Sequence, residues 1–102
     1  MTFKTKEELL AEYLNYPYND EFMLLLRSDI LQPLSSINGA ASLLAEMIDD
    51  ETIDRDGMRK LAHMIIQNTD GLRNLMDAVV EYDKIRRKKD QNPSQENPGD
   101  SN

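Results

Sequence analysis

Cysteine is absent from this 102-residue chain, which excludes disulfides, thiolate nucleophiles and Cys-ligated metals. His63 is the single histidine, so no site needing two imidazoles can be built. Tryptophan is absent, aromatics make up 6% of residues, and the longest uncharged apolar stretch, Phe22 to Leu26, is far too short to span a bilayer. Positive charge is also scarce: 12 Lys and Arg face 19 Asp and Glu, for a net charge of −7. Coating nucleic acid or anionic lipid needs clustered cations, so neither partner is expected. The N-terminus carries no run resembling a signal peptide, and a cytoplasmic location is expected. No metal and no cofactor is expected.

What is present is 39% hydrophobic and 30% charged, with the apolar residues drawn mainly from Leu, Ile, Met, Val and Ala. That is a helix-forming set, in a chain long enough for one domain. Residues 1–83 hold seven basic against sixteen acidic groups, residues 84–89 (Lys-Ile-Arg-Arg-Lys-Lys) are almost wholly basic, and a polar tail follows. With nothing to bury, residues 88–102 read as a disordered tail.

Three helices are predicted. Thr5 and Glu8 form a capping-box signature opening Lys6 to Asn15, and Pro17 ends that segment. Asn19 or Asp20 can cap a second start. From Asp20 to Ile48 the apolar positions Met23, Leu26, Ile30, Pro33, Leu34, Ile37, Ala40, Ala41, Leu44, Met47 and Ile48 keep a three-and-four spacing. This is a long amphipathic helix of roughly 40 Å, with a bend expected at Pro33. Residues 49–56 form a charged connection in which Thr52 or Asp54 can cap the next helix. From Asp56 to Arg87 the seam runs through Met58, Leu61, Ile65, Asn68, Leu72, Leu75, Val79 and Tyr82, with Ala62, Thr69 and Met76 beside it. The basic run closes that helix where its dipole favours cations.

The chain thus divides into a short N-terminal helix and connector (1–19), a helical hairpin (20–87) and the tail. The expected fold is all-α: an antiparallel hairpin that dimerises into a four-helix bundle, with the short helix against one end. Each apolar stripe is wider than one neighbouring helix covers, so a second copy completes the core. Its predicted dimer core is Ile30, Leu34, Ile37, Ala41, Leu44, Leu61, Ile65, Leu72, Met76 and Val79. The competing arrangement is a monomeric three-helix bundle. Met23, Met47, Met58, Met64 and Met76 are read as core filler, and Tyr16, Pro17 and Tyr18 as a staple joining the short helix to the bundle.

The string Arg27-Ser-Asp-Ile-Leu-Gln-Pro-Leu34, followed by Ile37, Gly39, Leu43 and Leu44, resembles the phosphoacceptor box of sensor histidine kinases. Ile65, Asn68, Leu72, Leu75, Met76, Asp77 and Ile85 are similar to that family's second dimerisation helix. The resemblance covers about residues 20–86. Where the family carries its phosphoacceptor histidine this chain has Ser28, which cannot supply a nucleophilic imidazole. The family's ATP-binding domain has no counterpart in the polar tail. The resemblance implies a dimerisation domain without its kinase chemistry, hence a regulator in bacterial two-component signalling that binds a response-regulator receiver domain or a histidine kinase. No residue is expected to be catalytic.

Heptad register places Ser28 toward solvent, and the partner-binding residues are expected to be Arg27, Ser28, Asp29, Leu31 and Gln32. Asp29 matches the acidic neighbour of the family's histidine, and Gln32 matches a position implicated in dephosphorylating receivers. Read as an exposed carboxylate and amide three residues apart, the two give the alternative of a receiver phosphatase. A dimeric adaptor outside phosphorelay is the blander alternative. His63 falls on the outer face of its helix and is read as an idle surface residue.

Overall fold

The computed structural model describes residues 3–51 and 54–91. Three helices and no strands are present among them: α1 (Lys6–Tyr13), α2 (Asp20–Asp49) and α3 (Arg55–Gln91). The expected caps are in place. The Thr5 side chain accepts from the Glu8 amide at 3.1 Å while the Glu8 carboxylate accepts from the Thr5 amide at 3.1 Å. Asn19 Oδ1 accepts from the Phe22 amide at 3.0 Å, and Asp54 Oδ1 from the Gly57 amide at 3.0 Å. Thr52, the other candidate cap, lies outside the described residues, as does the tail from residue 92. α1 ends two residues earlier than predicted, because Leu14 already caps it ahead of Pro17. α3 runs four residues further, so residues 88–91 are helical instead of tail. Pro33 is buried inside α2, which passes through it without a break.

α2 and α3 form an antiparallel hairpin, with Asp49 ending the one and Arg55 opening the other, and α1 packs chiefly on α3 at the open end. Glu51 enters the turn in the left-handed conformation, φ 56°. The buried core, Leu9, Tyr13, Phe22, Leu26, Leu75, Ala78 and Tyr82, lies where all three helices meet. At its centre the Phe22 ring stacks on Tyr82 with centroids 4.4 Å apart and meets Tyr13 edge-on at 5.5 Å. Tyr16 and Tyr18 lie 6.4 and 6.3 Å from the same ring, so the connector reaches the bundle as a staple.

The core is offset from the predicted seam. Ala78, absent from that seam, is fully buried, Gly71 is buried, and Met76 and Leu34 are 49% and 45% exposed. All ten predicted dimer-core residues are half-buried or exposed in the single chain. By helical phase they share the flank of the hairpin opposite α1. Within the single chain Met23, Met64 and Met76 are exposed and Met47 and Met58 half-buried. Long flexible thioethers here edge the core instead of filling it. No helix among the described residues is long and apolar enough to cross a membrane.

Candidate functional site

The phase of α2 gives the helix three faces around its N-terminal half. Phe22, Leu26 and Pro33 are buried in the hairpin, Ile30 is half-buried against the core with Leu34 exposed beyond it, and Leu24, Arg27, Ser28, Leu31, Gln32 and Ser35 share an outward surface. Arg27, Ser28, Leu31 and Gln32 are all exposed, and Leu24, beside them, is 65% exposed. Four of the five predicted partner-binding residues therefore lie together.

Asp29 does not join them. It sits one residue, or about 100°, further round the helix from Ser28, half-buried, and its Oδ2 accepts a 2.9 Å hydrogen bond from the Tyr13 hydroxyl of α1. The expected exposed carboxylate is thus turned inward by a helix whose docking flank periodicity does not specify. The burial of Tyr13, reinforced by this bond to Asp29, pushes its phenol well above the ordinary tyrosine range. Gln32 is exposed and stands at the border, lining both the outward surface and a second concavity beneath α1.

That concavity was not foreseen. It is a cleft of about 300 Å³ between the chain preceding α1 and the middle of the hairpin, walled by Phe3, Leu9, Pro33 and Leu75 and rimmed by Lys4, Glu12, Asp29 and Ser36. Asn68, 6% exposed, forms part of its lining and donates from Nδ2 to the Met64 carbonyl at 2.7 Å. Lys4 pairs with Glu12, whose hydrogen bond and charge hold the ammonium above its ordinary range. The Asn74 amide donates to the Lys4 carbonyl at 3.4 Å, anchoring the segment to α3. A Cβ on Gly71 would stand 2.8 Å from the Phe3 ring, so the absence of a side chain there is what lets Phe3 approach. A glycine inside a strongly periodic helix was the available signal.

The basic run is partly structural. Arg86 Nη2 donates to the carbonyls of Leu14 and Tyr16 at 3.2 and 2.7 Å, and its guanidinium lies 5.2 Å from the Tyr82 ring centroid. α1 has no basic residue in its last turn, so α3 supplies the cation that its carbonyl end favours. Arg87 pairs with Asp83 at 2.8 Å. His63 is exposed in the turn-side half of α3, away from Ser28. Among the described residues no three His, Asp or Glu side chains come together as a metal-binding group. The chain matches no family model, no curated protein and no solved structure.

Proposed function

We propose that this chain is a non-catalytic regulator of bacterial two-component signalling that acts by binding a receiver domain or a histidine kinase. The observation carrying the reading is the outward face of α2, where Arg27, Ser28, Leu31 and Gln32 are exposed side by side. In the resemblance noted above, Ser28 stands at the phosphoacceptor position. A bundle offering that face with a hydroxyl in place of the imidazole can hold a receiver but cannot pass it a phosphoryl group. Exposed Arg27 supplies the kind of side chain that anchors interfaces, and exposed Leu24 and Leu31 beside it add apolar area. The chain acts as a homodimer, for which the half-exposed flank from Ile30 to Leu44 and from Leu61 to Val79 is the support.

The inward turn of Asp29 favours binding over the phosphatase alternative, because the acid and amide no longer present one exposed face. The test is a binding screen of the full chain against phosphorylated and unphosphorylated receiver domains and histidine kinases. A specific partner lost on Ser28→Arg or Gln32→Arg is the expected result. Binding that ignores both substitutions, or no binding to any receiver or kinase, overturns the reading in favour of an adaptor outside phosphorelay. Accelerated loss of phosphate from a receiver, abolished by Gln32→Ala, overturns it in favour of the phosphatase.

A further inference from the structure

We infer that the cleft beneath the chain preceding α1 is a binding site for a small organic cation with an apolar body. Its volume of about 300 Å³ lies at the lower end of the range for small-molecule sites. Phe3, Leu9, Pro33 and Leu75 give it apolar walls that suit a ring or short hydrocarbon.

The charged part of the polar lining is mostly acceptor. Asp29 and Glu12 only accept, Ser36 gives its hydroxyl proton to the Gln32 carbonyl, and Asn68, which donates one of its two amide protons to the Met64 carbonyl, also carries a carboxamide oxygen that can accept. Asn68 is the more telling because it is 6% exposed, on a helix seam where an apolar residue would fill the space without needing a partner. Against these acceptors stands one cation, Lys4, already paired with Glu12. Two carboxylates and one ammonium leave the lining with an excess negative charge, and the Tyr13 hydroxyl meets only one oxygen of Asp29. A ligand rich in N–H donors and carrying a positive charge satisfies what the cleft leaves unmet, whereas an anion meets two carboxylates. The site does not depend on whether the outward face of α2 binds a signalling partner. Because Gln32 belongs to both surfaces, occupancy of the cleft bears directly on that face.

Benzamidine, a flat ring bearing an amidinium, is the probe, and benzoate, the same ring with the opposite charge, is the control. Titrated into the full chain and followed by amide chemical shifts, benzamidine is expected to move Gln32, Ser36, Asn68 and Gly71 with a dissociation constant of about 1 mM, ordinary for a fragment of this size. Benzoate is expected to move none of them. Asp29→Asn, which keeps an oxygen for Tyr13 to donate to, should weaken benzamidine about tenfold. Glu12→Gln, on the rim of the cleft and outside the buried core, is the second variant should Asp29→Asn loosen the helix, and it should weaken the probe likewise. Equal shifts with benzoate, shifts spread along the Leu34 and Met76 flank, affinity unchanged in both variants, or no saturable shift by about 10 mM would each overturn the assignment.

Discussion

The Tyr13 hydroxyl on α1 donates to Asp29 Oδ2 on α2 at 2.9 Å, across 16 residues of sequence. It joins the short helix to the residue next to Ser28, and it converts a carboxylate that would face water into part of a helix–helix contact. Replacing it therefore probes both stability and the docking of α1.

Tyr13→Phe keeps the ring in the core and deletes the donor, leaving a half-buried carboxylate short of a partner. The expected cost is about 1.5 kcal/mol, with a melting midpoint lower by about 5 to 10 °C. The same residue gives the chain an alkaline dependence. Burial first and the Asp29 bond second hold its proton past the ordinary value of 10.0. Above that pH the unfolded chain releases a proton that the folded chain keeps, so stability falls as pH climbs. Urea melts at about pH 9 and about pH 11 should show a larger loss for the native chain than for Tyr13→Phe.

Two helical glycines should answer oppositely to alanine. A Cβ on Gly39 meets nothing within 4 Å, so Gly39→Ala gains helix propensity and should raise stability by about 0.5 to 1 kcal/mol. At Gly71 the new methyl meets the Phe3 ring at 2.8 Å and displaces it. Gly71→Ala should gain less or lose outright, and should recover the Gly39-like gain in a Phe3→Ala background. Thermal melts of the three variants decide it.

Glu51 holds φ 56°, a conformation that costs a residue with a Cβ about 1 kcal/mol. Glu51→Gly should therefore raise the denaturation midpoint by the equivalent of about 0.5 to 1 kcal/mol, with an unchanged denaturant slope.

Arg86 and Tyr82 hold the connector by its carbonyls, Tyr82 through a 2.8 Å bond to Tyr16. Arg86→Ala removes two hydrogen bonds and the cation at the end of α1. Amide hydrogen exchange should rise in residues 6–16 while the middle of α2 and α3 stays protected. Tyr82→Phe should produce the same pattern, weaker.

The proposed dimer makes its own prediction. Leu34 and Met76 are 45% and 49% exposed in the single chain, so Leu34→Glu with Met76→Glu leaves its internal packing nearly intact. Light scattering should give twice 11.8 kDa for the native chain and 11.8 kDa for the double variant.

Much of this architecture was legible from residue spacing. Thr5, Asn19 and Asp54 are local hydrogen-bonding devices, and each caps the helix it was assigned to. The clustering of Arg27, Ser28, Leu31 and Gln32 followed from register alone. Asp29 was misjudged because a periodic stripe says how wide an apolar face is, not which flank a third helix takes. α1 took the flank carrying Gly71 and Ala78, where small side chains admit close approach, and so left the bulkier Leu34 and Met76 outside. The cleft was invisible for a related reason: its walls come from segments far apart in the sequence, Phe3 beside Gly71, which no local pattern connects.

The Tyr82 bond to Tyr16 closes a loop of 66 residues, and the Arg86 bond to Leu14 one of 72. The hairpin, by contrast, closes across a turn of a few residues. Loop-closure entropy therefore orders the events of folding: α2 and α3 zip from their turn, and α1 docks afterwards onto a surface that must already exist. An eight-residue helix is too short to persist in water unaided. In refolding, the fluorescence of the tyrosines gathered on Phe22 should change later than the helical signal, so the N-terminal segment is the last part of the molecule to be secured and the first to be released.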